Sequence, residues 1–229
     1  MKIKIIAFDA DDTLWINEPY FQEIEKKFCA LLEDYLPNHS VAKELFKTEI
    51  ENLSLYGYGI KGFILSMIET ALRISNNTLD VAIIEKAIHY GKELLARPVE
   101  ILEGVEETLK LLSQKYQLVV ATKGDLLDQE RKLKKSGIHH YFHHTEIMSD
   151  KQEADYLKLI KHLDIKPEQF LMIGNSIKSD VLPVLAIGGY GIHVPYHVTW
   201  QHEQVTNNVD HKNFKQVQNI TEILPYLLS

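Results

Sequence analysis

Residues 3–14 read IKIIAFDADDTL, an apolar and largely β-branched run that breaks off at a cluster of acids. Residues 3–8 have the pattern of a strand that is buried in a parallel sheet and carries polar groups at its carboxyl end. Asp9, Asp11 and Asp12 follow within four positions, and their mutual repulsion is costly unless a cation or hydrogen-bond donors offset it. The stretch therefore predicts a buried strand that delivers carboxylates to a binding site.

The same pattern recurs further along the chain. Residues 118–121 (LVVA) end at Thr122, residues 170–173 (FLMI) end just before Asn175, and residues 190–194 form another apolar run. Stretches with helical periodicity precede these runs. Strands that alternate with helices favour an α/β fold with a doubly wound, Rossmann-like parallel sheet, whose ligands bind beyond the carboxyl ends of the strands.

The pattern changes between Pro19 and about Arg97, where no strand-like run occurs and helical periodicity dominates. We predict an α/β core of residues 1–15 and 98–229, interrupted by an all-helical cap domain of residues 16–97. Because this insertion directly follows the first strand, we expect it to leave and return at the rim of the site. The predicted cap helices span 21–36, 41–53, 60–74 and 79–95.

Composition excludes several classes of protein. The chain has 229 residues, 45% hydrophobic and 25% charged, which is typical of a globular protein and not of a disordered or fibrous one. With 25 Lys and Arg against 32 Asp and Glu and no basic run, nucleic acid is not an expected partner. The only cysteine, Cys29, cannot form an intramolecular disulfide and suits a reducing compartment. No apolar run is long enough for a membrane span, so we expect a cytoplasmic protein with no membrane partner.

The stretch FDADDTL at residues 8–14 resembles the first motif of the haloacid dehalogenase-like (HAD) hydrolase superfamily. Thr122 after LVVA matches the second motif, Lys151 in SDKQEADY matches the third, and GNSIKSD at residues 174–180 matches the fourth. The motifs occur in the family's order, and the helical insertion lies where the family carries its first type of cap. The resemblance implies a phosphatase-type member that acts on a small phosphorylated metabolite.

Catalytic roles follow from the resemblance. Asp9 is expected to be the nucleophile that forms an aspartyl-phosphate, and Asp11 to be the general acid and base. Thr122 and Lys151 are expected to bind the phosphoryl oxygens by hydroxyl donation and by positive charge.

The resemblance also implies Mg²⁺ as the cofactor, because this ion prefers hard oxygen ligands. Its expected ligands are the carboxylates of Asp9 and Asp180, the main-chain carbonyl of Asp11 and the side chain of Asn175. The family commonly has Asp at position 175, so the amide removes one negative charge there. Asp12 replaces a frequent glycine, and we expect it to serve turn or cap chemistry.

Further residues are candidates for substrate binding. Lys123 follows Thr122, and Trp15 follows the first motif. Within the insertion, Tyr56, Tyr58 and Lys61 surround two glycines in a segment suited to a loop that reads the leaving group.

Histidines cluster at positions 139, 140, 143 and 144, a tract that looks like a zinc site. It lies between a helix and an expected short strand, and metal ligands need convergent geometry, so we predict a solvated edge. For His197 and Trp200, which follow the last predicted strand, we expect surface packing.

Alternative functions remain. A 2-haloacid dehalogenase of the same fold needs no second aspartate, so Asp11 argues for phosphate esters. A phosphonate hydrolase would need a cap lysine to form a Schiff base, for which Lys61 is a candidate. A weakly active binding or regulatory protein is a third reading, which Asn175 keeps open. A receiver domain also groups acids after its first strand, but the helical insertion has no place in it.

Overall fold

A parallel sheet organises the α/β part of the protein. The computed structural model describes residues 3–206 and 208–229, and within them six parallel strands pair in the order β3-β2-β1-β4-β5-β6. The predicted α/β fold with a parallel sheet is confirmed. The strands are β1 (Ile5–Phe8), β2 (Gln117–Lys123), β3 (His144–Met148), β4 (Phe170–Gly174), β5 (Tyr190–His193) and β6 (Phe214–Gln216).

Strand register sets the position of the site. Phe8 in β1 lies opposite Val120 in β2 and Ile173 in β4, so the residues that follow these positions reach the same edge of the sheet. β1 has β2 and β3 on one side and β4, β5 and β6 on the other, which is the topological switch point where ligands of such sheets bind.

Helices make up the insertion and alternate with the strands that follow it. They are α1 (Glu18–Leu31), α2 (Asn38–Tyr56), α3 (Ile60–Ile74), α4 (Val81–Ala96), α5 (Val105–Leu112), α6 (Leu126–Ser136), α7 (Glu153–His162), α8 (Leu182–Ala186) and α9 (Leu224–Leu228).

Both faces of β1 are buried. Ile6 and Phe8 lie in an apolar cluster that includes residues of α5, whereas Ile5 and Ala7 lie in a separate cluster with residues of α7. Successive side chains of a strand point to opposite faces, which explains why this strand is apolar at every position. The strand is therefore a fixed base for the acids that follow it.

The described chain divides into two compact units. One holds the described residues up to Glu18, Val99–Lys123 and the residues from Gln129 onward; the other holds Pro19–Pro98 and Gly124–Asp128. The second unit is helical, with α1 to α4 enclosing an apolar cluster of their own. None of the described helices combines the length and the apolar character that crossing a membrane requires.

Some boundaries differ from those expected. The first helix of the insertion begins at Glu18 and ends at Leu31, and residues 32–35 form a turn before Pro37. β2 extends through Thr122 and Lys123, because both continue to pair with β3. β6 was not expected, since its three residues contain no apolar run.

Candidate active site

Lys151 joins two carboxylates beyond the ends of β1 and β4. Its Nζ lies 2.5 Å from Asp9 Oδ1 and 2.6 Å from Asp180 Oδ1, and the Lys151 side chain is 1% exposed. Asp9 and Asp180 are also buried. Residues from three distant parts of the chain thus form one buried ionic cluster.

The ionisation of this cluster is set by burial and by mutual charge. Burial raises the pKa of Asp9 to about 7, with Lys151 opposing the shift and the charges of Asp180 and Asp11 adding to it. Burial disfavours the charged form of Lys151, but the two carboxylates outweigh that effect and raise its pKa above the ordinary value. Lys151 is therefore a permanent cation beside Asp9.

Backbone geometry fixes Asp180. Ser176 N donates to Asp180 Oδ2 at 2.9 Å, within a segment that includes a single π-helical turn, Ile177–Val181. Gly174, the last residue of β4, leaves room for the carboxylate: a Cβ there would lie 2.1 Å from Asp180 Oδ2. Single π-helical turns such as Ile177–Val181 occur often at functional sites.

Asn175 is tied to the first acidic stretch through Thr13. Asn175 N donates to Thr13 Oγ1 at 3.0 Å, and that oxygen lies 3.3 Å from both Asp9 Oδ2 and Asn175 Oδ1. Thr13 is buried. The structure thus places the amide of Asn175 close to Asp9.

The Asp11 carboxylate is held by three donors. Trp15 Nε1 and Lys132 Nζ lie 2.7 and 2.6 Å from Oδ1, and Gln129 Nε2 lies 2.8 Å from Oδ2. Gln129 and Lys132 belong to α6 and were not singled out in the sequence. Their side chains lie one turn apart on a helix, a spacing too common to identify them.

Asp12 acts on the backbone, as expected for turn or cap chemistry. Its carboxylate accepts from Asn17 N at 2.9 Å and from Glu18 N at 3.0 Å, where α1 begins. Burial raises the pKa of Asp12 to about 7. Its φ of 61° is a conformation that glycine adopts freely, in line with the frequent glycine of the family motif.

A second, largely buried charge pair contacts Ser179, the residue before Asp180. Lys123 Nζ lies 2.7 Å from Glu203 Oε1, and the hydroxyls of Ser176 and Ser179 both donate to Glu203 Oε2 at 2.5 Å. Burial favours the neutral form of Glu203, but Lys123 and the serine hydroxyls outweigh it and lower its pKa to about 2. Glu203 lies on a short 3₁₀ turn (Gln201–Glu203). No local sequence motif identifies Glu203 as part of the site.

Other expected residues lie in several settings. Thr122 is buried at the end of β2, and the Trp15 side chain is buried beside Asp11. In the helical unit, Tyr56 donates its hydroxyl to Glu69 at 2.8 Å, and Lys61 Nζ pairs with Asp125 at 2.9 Å. Tyr58 lies between two glycines with positive φ that separate α2 from α3.

The histidine tract does not converge as a group. Among the described residues, only His144 of the four lies in a cluster of potential metal ligands. The ring of His140 contacts those of its neighbours His139 and Tyr141. His197 and Trp200 contact the rings of Tyr196 and His202, which agrees with packing roles.

The donor set around Asp9 fits a hard divalent cation. Asp9, Asp11 and Asp180 bring three carboxyl groups to the site, and the charges of Asp11 and Asp180 both raise the pKa of Asp9. This electrostatic crowding, together with the amide oxygen of Asn175, matches the all-oxygen environment that Mg²⁺ prefers.

Comparisons with known proteins identify the family. The model of the haloacid dehalogenase-like hydrolases matches residues 3–188. A haloacid dehalogenase-like family hydrolase from Xanthomonas campestris has a similar crystal structure, with a TM-score of 0.89 and 36% identity over 99% of this chain and 91% of the other.

Three curated relatives carry the name glyceraldehyde 3-phosphate phosphatase. The protein from Methanopyrus kandleri is 25% identical over 186 residues, 78% of each chain. The one from Methanothermobacter thermautotrophicus is 26% identical over 204 residues, 86% of this chain and 88% of its own. With a family match that spans most of the sequence and the expected motif residues around one sheet edge, the chain belongs to the haloacid dehalogenase-like hydrolases.

Proposed function

We propose that this hydrolase is a Mg²⁺-dependent phosphatase that cleaves a small phosphomonoester through a covalent aspartyl-phosphate on Asp9. The observation that carries the proposal is the buried Lys151 ammonium between the carboxylates of Asp9 and Asp180, with Asp11 two residues beyond Asp9. The names of the curated relatives support the same reaction class.

The reaction has two displacement steps. First, an Asp9 carboxylate oxygen attacks phosphorus while the bond from phosphorus to the leaving oxygen breaks, and Asp11 protonates that oxygen so that a neutral alcohol departs. Next, water attacks the phosphoryl group, Asp11 accepts a proton from the water, and the bond between Asp9 and phosphorus breaks. The products are phosphate, the alcohol and unmodified Asp9.

Lys151 serves both the nucleophile and the phosphoryl group. Its charge favours the ionised form of Asp9 against the effect of burial, and an ionised carboxylate is the form that attacks. The same ammonium and the Thr122 hydroxyl would bind phosphoryl oxygens as negative charge spreads over them. Lys123 would be a weaker contributor, because Glu203 already shares its charge.

Mg²⁺ would be held by the carboxylates of Asp9 and Asp180, the main-chain carbonyl of Asp11 and the side chain of Asn175. When bound, the ion supplies positive charge that offsets the charge of the phosphoryl oxygens.

Dehalogenation is the second candidate of the same fold, and Asp11 argues against it. A halide leaves as an anion and needs no proton donor, whereas an alkoxide does. Phosphonate hydrolysis is also disfavoured, because a Schiff base needs a neutral amine and the Lys61 ammonium is paired with Asp125. Release of halide from 2-haloacids, measured beside release of phosphate from esters, distinguishes a dehalogenase from a phosphatase.

The test is turnover by purified protein of p-nitrophenyl phosphate and a panel of phosphorylated metabolites that includes three-carbon phosphates. We expect activity with Mg²⁺ that EDTA abolishes, and loss of activity in Asp9→Asn with an unchanged circular dichroism spectrum. Asp34→Asn, which changes an exposed aspartate, is the matched control.

Each result bears on a different part of the proposal. Equal rates with and without EDTA would contradict the metal requirement, and an active Asp9→Asn would remove Asp9 as nucleophile. Inactivity across the whole panel would favour a binding protein that has kept the fold.

A further inference from the structure

A second convergence of metal-binding side chains lies on β3 and α7. His144 Nε2 is 2.8 Å from Glu146 Oε2, and His162 Nδ1 is 3.8 Å from the same oxygen. All three ligand atoms lie within 4.8 Å of one another. His144 lies at the amino end of β3, whereas the carboxylates of the active site follow the carboxyl ends of the strands.

The fold explains why these residues meet. His144 and Glu146 are two residues apart on a strand, so their side chains point to the same face. β3 is the terminal strand of the described sheet, and His162 lies in the last turn of α7. The rings of His144 and His162 lie edge to face, with centroids 4.9 Å apart.

Ligand chemistry selects the type of ion. Two imidazoles and one carboxylate form a donor set that suits Zn²⁺ and related transition ions, whereas Mg²⁺ prefers oxygen alone. Bonds of about 2.0–2.2 Å in a tetrahedral site place ligand atoms about 3.3 Å apart. The distances of 2.8 and 3.8 Å to Glu146 Oε2 bracket that spacing, and side-chain rotations would have to bring the two imidazole nitrogens, which lie within 4.8 Å of each other, to the same separation.

Access also suits an ion. The side chains of His144, Glu146 and His162 are 27%, 33% and 66% exposed, which leaves a path from solvent and room for a water ligand. Three protein ligands with one open position is a common zinc arrangement.

We propose that His144, Glu146 and His162 form a Zn²⁺ site that is separate from the Mg²⁺ site and ties β3 to α7. The segment between these two elements carries Lys151. The ion would therefore join the first residue of β3 to the last turn of α7, at the ends of these elements that lie away from Lys151.

The test is competition for Zn²⁺ between the intact protein and a chromophoric chelator, with Mg²⁺ in excess to fill the carboxylate site. His162→Ala removes an exposed ligand, and Glu146→Gln keeps the size of the side chain. His140→Ala is the matched control, an exposed histidine of the same tract outside the cluster.

We expect one Zn²⁺ per chain, an affinity at least about tenfold lower in both ligand variants, and no change in His140→Ala. Zn²⁺ should raise the melting temperature of the parent protein and of His140→Ala but not of the ligand variants. Equal zinc affinity in the parent and the ligand variants, or displacement of the zinc by Mg²⁺, would overturn the proposal.

Discussion

Lys132 anchors Asp11: its Nζ lies 2.6 Å from Asp11 Oδ1 and 3.1 Å from Asn17 Oδ1. Trp15 and Gln129 donate to the same carboxylate, so three side chains orient it. A proton donor must be oriented to be effective, which gives α6 a part in positioning the general acid.

We therefore expect Lys132→Met to lower kcat about tenfold or more, because the carboxylate loses its charged anchor. The loss should be larger for alkyl phosphates than for p-nitrophenyl phosphate, whose leaving group needs less protonation. Lys134→Met changes an exposed lysine of the same helix and should leave both rates unchanged. A uniform loss with every leaving group would assign Lys132 a structural role only.

Gly174→Ala should displace the carboxylate of Asp180, because a Cβ would lie 2.1 Å from its Oδ2. We expect turnover to fall at least about 100-fold and the free energy of unfolding to fall by about 1–3 kcal/mol from overpacking. Steady-state kinetics at several Mg²⁺ concentrations and urea unfolding measure the two effects. Full activity in this variant would show that turnover does not depend on the position of the Asp180 carboxylate.

Glu203 links stability to pH. Its pKa falls from an ordinary 4.5 to about 2 in the folded protein, so its stabilisation is fully present above about pH 4.5 and is lost as the pH falls toward 2. We expect Glu203→Gln to lower the free energy of unfolding by about 2–3 kcal/mol at pH 7, and the difference to shrink below pH 4.5. Urea unfolding against pH measures it, with the exposed Glu130→Gln as control. A difference that stays constant down to pH 2 would contradict the ionic origin.

Gly91 brings α4 close to α3. A Cβ at Gly91 would lie 1.8 Å from Ile64 Cδ1, so Gly91→Ala should destabilise the protein by about 1–3 kcal/mol. The double variant Gly91→Ala/Ile64→Ala should be less destabilised than the sum of the single variants, because truncation of Ile64 clears the space. Additive losses in the free energy of unfolding, measured with urea, would show that the Cβ added at Gly91 and the side chain of Ile64 do not compete for the same space.

Cys29 should be inert in the native protein. Burial raises the pKa of its thiol to about 11, and the thiolate is the reactive form. A disulfide reagent such as DTNB should react slowly at pH 8 and rapidly after unfolding in urea. Fast modification of the native protein would indicate that α1 opens readily.

Much of the fold follows from local pattern, because residues 3–8 and 170–173 are apolar runs with polar ends, and a parallel sheet demands both features. Strand order and β6 required tertiary information, since Phe214–Gln216 is held by pairing with β5 and not by its own composition.

The sequence motifs likewise indicate Asp9, Lys151 and Asp180, which the structure brings together. Glu203 and Lys132 cannot be identified in this way, because a single charged residue on a turn or a helix face has the pattern of a solvent-exposed residue until its partners are known. Their roles depend on contacts across 80 and 121 positions of the chain.

The place of the helical insertion between β1 and β2 has a consequence for biosynthesis. β1 leaves the ribosome first, but residues 9–116 must follow before β2 is made, and β4 comes later still. Pairing across such separations is slow because a long loop must close first, whereas α1 to α4 form mostly local contacts. We expect the helices to fold during translation, before β2 and β4 are available to pair with β1. The intermediate that chaperones would bind is therefore a chain with folded α1 to α4 and an exposed, apolar β1.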